Sequence, residues 1–239
     1  MTRTERFRSS GLIALAVGFA ALASPAVAAD ADHPTVVELF QSQGCSSCLP
    51  ADANAAALAG QPGVLVLSFA VTYWDGLGWK DTFASPLFTA RQWMYERRLA
   101  RATVFTPQVV VNGRRDGVGV DPRELRGLIV KGDRGDGGPA IALRRDAVSL
   151  STAPAPAKPA DVWLVRYDPR VIMVSIRRGE NGGKTVPHKN IVRELTRLGS
   201  WTGQAESLPI AQAGDPALRT AILVQLPGGG PILAATDSG

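Results

Sequence analysis

The chemistry in this 239-residue chain concentrates in two cysteines three positions apart, in the run Cys45-Ser46-Ser47-Cys48. No other cysteine is present. A disulfide between them would close so short a loop that it would constrain the unfolded chain very little. A pair that adds little stability calls for a chemical explanation. Thr35 to Phe40, just upstream, is rich in β-branched and aromatic residues and predicts a buried strand. Pro50 to Ala59, just downstream, is alanine-rich and predicts a helix that tolerates Pro50 in its first turn. The free N–H groups and the positive dipole end at the mouth of such a helix favour an anion. A cysteine placed there has its pKa lowered from ~8.5 into a range of roughly 3.5–7.5. Cys45 is then the exposed nucleophile that attacks a disulfide. Cys48, more buried in the first turn, resolves the mixed disulfide.

Other readings of the pair stand beside this one. Structural zinc needs four ligands, and the chain adds only His33 and His188, far apart and without ligand spacing. Two soft thiolates suit Cu(I). The pair can also be an inert disulfide on a binding or scaffold protein that performs no catalysis. No cofactor motif is present, and no metal site is expected.

The elements around the pair follow a recognisable order. Val64 to Val71 predicts a second buried strand, and Pro86 to Ala100 a second helix. Gln108 to Val111 predicts a strand, Asn112-Gly113 a hairpin turn, and Val118 to Val120 a short strand. Asp121-Pro122 opens a third helix to about Val130. A crossover helix between the first two strands implies a parallel pair, and the hairpin an antiparallel one. The fold class is therefore α/β, a mixed sheet with flanking helices. After a glycine-rich linker the texture changes to strands and turns. Ala140 to Arg144, Val162 to Tyr167, Val171 to Arg177 and Ala221 to Leu226 predict strands, while Asn190 to Leu198 fits helix or strand. Residues 139–239 thus read as a small antiparallel β-rich C-terminal subdomain, with no clustered Cys, His and acid to suggest a catalytic group.

Residues 1–28 read as a signal peptide. Arg3, Arg6 and Arg8 precede an apolar run from Gly11 to Ala23, and Ala26-Val27-Ala28 supplies small residues for cleavage. The expected location is the periplasm or outside the cell, with membrane contact only through this segment if it stays uncleaved. Exported proteins meet an oxidising compartment, where thiols pair. The formal net charge of +5 includes three arginines of the leader, and the remaining basic residues are scattered. Nucleic acid is therefore not an expected partner, and Arg91, Arg97, Arg98 and Arg101 read as a solvated helix face. The expected partners are exported protein thiols or disulfides.

The strand, CxxC, helix and later Thr106-Pro107 before a strand resemble the thioredoxin superfamily. More closely, five runs resemble an uncharacterised family of secreted bacterial thioredoxin-like proteins. They are Val37-Glu38-Leu39-Phe40, Gln43-Gly44-Cys45-Ser46-Ser47-Cys48, Tyr73-Trp74-Asp75, Gly78-Trp79-Lys80-Asp81 and Phe105-Thr106-Pro107-Gln108. Two departures stand out: similar sequences often carry His and Asp just before Tyr-Trp-Asp and Pro after the second cysteine, where this chain has Ala70, Thr72 and Leu49. The resemblance implies a thioredoxin-like domain over 33–132. It implies a cis Thr106–Pro107 bond packed against the cysteines, with the Thr106 backbone free to pair with an extended substrate. It also implies that Glu38, on the strand leading to the pair, relays a proton to Cys48, since burial would raise its pKa; the other reading of Glu38 is an edge-facing or salt-bridged carboxylate. Tyr73, Trp74, Trp79 and Trp93 would roof a peptide-binding groove, or pack against the β-rich part.

Overall fold

The computed structural model describes residues 1–2, 33–135 and 137–238. The expected signal peptide lies almost wholly outside them. Among the described residues no helix is long and apolar enough to cross a membrane.

The first strand, β1 (Thr35–Gln41), is buried along its whole length, its polar Thr35, Glu38 and Gln41 included. A single 3-10 turn (Ser46–Cys48) then leads into α1 (Leu49–Leu58), with Pro50 in the first turn. β2 (Val64–Ala70) returns parallel to β1, pairing Val37 with Val66 and Leu39 with Ser68. A loop with a short 3-10 turn (Asp75–Leu77) leads to α2 (Pro86–Arg98), which Ser85 caps by accepting from the Leu87 amide. β3 (Gln108–Val111) runs antiparallel to β1 on its other side. Asn112 and Gly113 turn the chain with φ of 48° and 62°, a left-handed pair that explains the Asn-Gly choice. The short returning strand β4 (Arg115–Gly117) falls just ahead of the expected Val118 to Val120, because its register follows the tight turn. Asp121 caps α3 (Pro122–Lys131) through the Arg123 amide.

The chain after the linker contributes to two sheets. β5 (Ile141–Leu143), β6 (Ala147–Leu150) and β9 (Glu206–Pro209) form a small antiparallel sheet. β7 (Ala160–Ser175), β8 (Thr185–Trp201), β10 (Arg219–Gln225) and β11 (Ile232–Asp237) join the first strands in one eight-stranded mixed sheet, ordered β11-β10-β7-β8-β2-β1-β3-β4. The fold is α/β, with this large mixed sheet, the small antiparallel sheet and few helices.

Two further sequence expectations change. The segments at 162–167 and 171–177 belong to one bent strand, whose register slips between Asp168 and Val171, around Pro169. The ambiguous 190–198 is strand, because it lies inside the seventeen-residue β8 paired along β7. Together β7 and β8 form a long hairpin whose tip projects beyond the sheet.

Alternation along β1 assigns the two faces. Val37 and Leu39 meet Ala51 and Ala55 of α1 and Leu125 of α3. Val36 and Phe40 meet Phe88 and Tyr95 of α2, together with Phe69 and Val165. A residue of β1 therefore faces either α1 or α2, never both.

Candidate functional site

Cys45 and Cys48 are joined in a disulfide, with Cα atoms 5.4 Å apart. Cys45 has extended backbone at the start of the 3-10 turn, and Cys48 is the N-cap of α1. The loop before them is tied from several sides. The Cys45 amide donates to Ser42 O at 3.0 Å and the Gly44 amide to Ser42 Oγ at 3.1 Å. The Gln43 amide donates to Asp81 Oδ2 at 2.7 Å. Trp79 Nε1 donates to Gln43 Oε1 at 2.9 Å.

Hydroxyl groups surround the first sulfur. Ser47 Oγ lies 3.3 Å from Cys45 Sγ, and Thr106 Oγ1 donates to the same sulfur at 3.5 Å. Trp74 Nε1 in turn donates to Thr106 Oγ1 at 2.7 Å, which orients that hydroxyl. The Thr106–Pro107 bond is cis. Tyr73 leans the other way, its hydroxyl donating to Gln92 Oε1 at 3.2 Å, and burial pushes its pKa up to about 12. The structure thus brings Trp74 and Thr106 to Cys45, and places Trp79 one residue pair further back, through Gln43.

Two expectations about the cysteines' surroundings are corrected. Cys45 was expected to be exposed, yet both cysteines have 0 % exposed surface. The reason is tertiary. Asp81, Trp79, Thr106 and the tip of the β7–β8 hairpin hold the loop around the sulfurs, while Ser46 and Ser47 between them stay exposed. Glu180 Oε2 on that tip accepts from the Ser46 amide at 3.0 Å and from Ser46 Oγ at 2.8 Å. The fully buried Asn181 donates through Nδ2 to Gln43 O at 2.9 Å and Cys45 O at 3.0 Å. These contacts span more than 130 residues of sequence, and no local motif signals them.

The second correction concerns Glu38. It lies on the β1 face that meets α2, opposite the face covered by α1. Its Oε1 accepts from Arg91 Nε at 2.5 Å and its Oε2 from Arg91 Nη2 at 3.1 Å, and the Tyr95 hydroxyl also donates to it. Both charged side chains are fully buried. Alternation along the strand turns Glu38 to the face opposite α1, where it is the salt-bridged carboxylate of the second reading and balances a buried guanidinium. Arg91 accordingly leaves the solvated basic face expected for it.

A different carboxylate follows Cys48 on α1. Asp52 lies one helical turn further along α1, at the i+4 position, where side chains share a face and tilt back toward the helix start. Its Oδ2 is buried and has no hydrogen-bond partner among the described residues. Burial, with the nearby Asp81 carboxylate adding to it, pushes the Asp52 pKa up to about 8. Asp81 is itself shifted upward, mainly by burial, against the pull of its bonds from the Gln43 and Phe83 amides. The sequence signal for Asp52 was the Cys-x-x-x-Asp spacing on a predicted helix.

Both ring nitrogens of His188 are buried and without hydrogen bonds among the described residues, and burial lowers its pKa to about 4. The ring stands edge-on to Phe83 at 5.9 Å. Among the described residues no group of three or more His, Cys, Asp or Glu side chains is placed to hold a metal ion.

These features define an α/β protein with a buried disulfide at a strand-to-helix turn, clamped by a distant hairpin. The chain belongs to the family described as protein of unknown function, DUF1223, whose model matches residues 36–225. No curated protein sequence matches it. A crystal structure of a protein from Agrobacterium tumefaciens is similar, with TM-score 0.69 and 29 % identity, covering 85 % of this chain and 92 % of that one. HBP35 of Porphyromonas gingivalis is similar in fold, with TM-score 0.60 and 13 % identity, covering 87 % of this chain and 75 % of that one.

Proposed function

We propose that this protein is an exported thiol–disulfide exchange protein built on a thioredoxin-like domain. One observation carries the reading: the Cys45–Cys48 disulfide sits at a helix N-terminus with Thr106, beside a cis proline, donating to the Cys45 sulfur. In the reduced protein the Thr106 and Ser47 hydroxyls beside the Cys45 sulfur stabilise a Cys45 thiolate. That thiolate attacks one sulfur of a partner protein's disulfide. A Cys45–partner bond forms, the partner's disulfide breaks, and its leaving sulfur takes up a proton. Cys48, having given its proton to Asp52, attacks the Cys45 sulfur. The internal disulfide forms as the Cys45–partner bond breaks, the leaving partner sulfur takes up the proton held on Asp52, and the partner leaves as a dithiol. An acid with a pKa near 8 is matched to a thiol of ordinary pKa, which suits Asp52 to this transfer. The partner is an exported protein, and its extended chain lies along Thr106, Tyr73 and Trp74. Since neither sulfur is exposed, exchange requires the loop or the hairpin tip to open.

The test is equilibration with glutathione. A pair that exchanges fully and reversibly, with a defined reduction potential, supports the reading. A disulfide that resists equilibration in the folded state overturns it. A second reading, a non-catalytic binding or scaffold protein with an inert disulfide, is favoured by the complete burial of both sulfurs. The same equilibration separates the two.

A further inference from the structure

The helix start that would hold a Cys45 thiolate is not free. Ser46 is the first residue after Cys45, and its amide is one of the orphan donors at this end. Both its amide and its hydroxyl are committed to Glu180 Oε2, at 3.0 and 2.8 Å. Glu180 is held there by its neighbour. The fully buried Asn181 is bonded to Gln43 O and Cys45 O, and Lys184 Nζ donates to Asn181 Oδ1 at 3.1 Å. The tip turns tightly, with Gly179 at φ 77° against Trp79 and Gly183 at φ 83°. A carboxylate has thus been delivered from the far end of a long hairpin onto the amide beside the nucleophile.

Building on the exchange function proposed above, we infer that Glu180 is a positioning residue that sets the redox direction of the Cys45–Cys48 pair, making it a reductant. The physical reason is competition. A CxxC pair is strongly oxidising when its reduced form is stabilised as a thiolate. Glu180 takes a donor that would serve the thiolate and places a second negative charge close to it. Both effects disfavour the thiolate, and with it the reduced form. Opposing charge comes from Lys184 on the same hairpin, while on the helix and loop side burial raises the pKa of both Asp52 and Asp81 and so weakens their negative charge. The bonds from Ser46 hold the Glu180 carboxyl below its ordinary pKa, so it is ionised at neutral pH. The pair then passes two electrons to a partner disulfide and ends as its own disulfide. A dithiol protein in the same compartment must reduce it again, taking the two electrons' worth of oxidation as its own disulfide.

The experiment uses the full-length mature protein, wild type, Glu180→Gln and Glu180→Asp. Two quantities are read: the pH midpoint of Cys45 alkylation in the reduced protein, and the equilibrium constant with glutathione. Glu180→Gln is expected to lower the alkylation midpoint by about one pH unit and to shift the equilibrium about tenfold toward the dithiol, ~30 mV for a two-electron couple. Glu180→Asp keeps the charge and is expected to stay near wild type. If Glu180→Gln leaves both quantities at the wild-type values, the inference is overturned. It is also overturned if alkylation merely speeds up equally at every pH, because that marks a loosened cover with no electrostatic role. Failure of the exchange function itself shows differently: the wild-type pair would not equilibrate with glutathione at all.

Discussion

Glu38 and Arg91 form a two-pronged ion pair with no exposed side-chain surface, on the face of the central sheet turned away from the helix that carries Cys48. Arg91 Nη2 also donates to Tyr95 Oη and Gln225 Oε1, both at 3.1 Å, so the pair anchors β1, α2 and β10 to one another. Breaking a buried pair leaves a charge without a counterion, which costs about 3–5 kcal/mol. Glu38→Gln should therefore lower the denaturation midpoint strongly. Glu38→Leu combined with Arg91→Met should recover most of that loss. In neither variant should the glutathione equilibrium move, as it would if Glu38 served Cys48. Denaturant titration and redox equilibration of the same samples check both halves.

Asp52 should behave in the opposite manner. Its folded pKa of about 8 lies far above the ordinary carboxylate value, so the folded state binds the proton more tightly than the unfolded chain. The stability this confers is complete below about pH 4 and is lost as pH rises toward 8, by on the order of 1.4 kcal/mol per pH unit. Asp52→Asn cannot titrate, and its advantage over wild type should grow across that window. The same change should slow the resolution of mixed disulfides by Cys48 and flatten the pH dependence of that step near pH 8. Thermal melts across the pH range test the first expectation, and stopped-flow resolution kinetics test the second.

His188 gives a separate acid-side dependence. Its pKa near 4 lies below the ordinary histidine value, so the unfolded chain binds the proton first as pH falls. The contribution is fully present above about pH 6.5 and declines toward pH 4, by up to roughly 3 kcal/mol. His188→Phe should remove this dependence, the ring packing against Phe83 as the imidazole does. Unchanged acid unfolding in the variant would show that another group governs it.

Cys48→Ser should accumulate mixed disulfides with exported proteins, since attack by Cys45 proceeds and resolution does not. Cys45→Ser should trap none. Neither change should shift the melting temperature much, because the closed loop is so short. Non-reducing gels of tagged variants, compared with melts of the same proteins, decide the matter. Trapping by Cys45→Ser and none by Cys48→Ser would reverse the assignment of roles.

The local features of this chain were legible because each rests on neighbouring residues. β-branched runs specify β1 and β2, Ser85-Pro86 and Asp121-Pro122 start their helices, and Asn112-Gly113 makes its left-handed turn. The disulfide follows from two cysteines one turn apart in a strand-to-helix connection. Around 190–198 the local pattern admitted two answers, since Ile191, Leu195 and Leu198 satisfy helical spacing. Pairing along β7 outweighed that spacing, as long-range ladders commonly outweigh local propensity.

By itself, then, the sequence determined the α/β order of elements, the cysteine pair and the turn that presents it. Only the tertiary structure decided which carboxylate stands where. Glu38 looked to the eye like a neighbour of Cys48, but a one-residue alternation turned it to the opposite face and into the grip of Arg91. Asp52 acquired its raised pKa from burial and from Asp81, and Glu180 reached Ser46 only because a long hairpin spans the distance. Electrostatics at a site depends on distances and burial in space. Residues more than a hundred positions apart leave no mark on each other's local sequence.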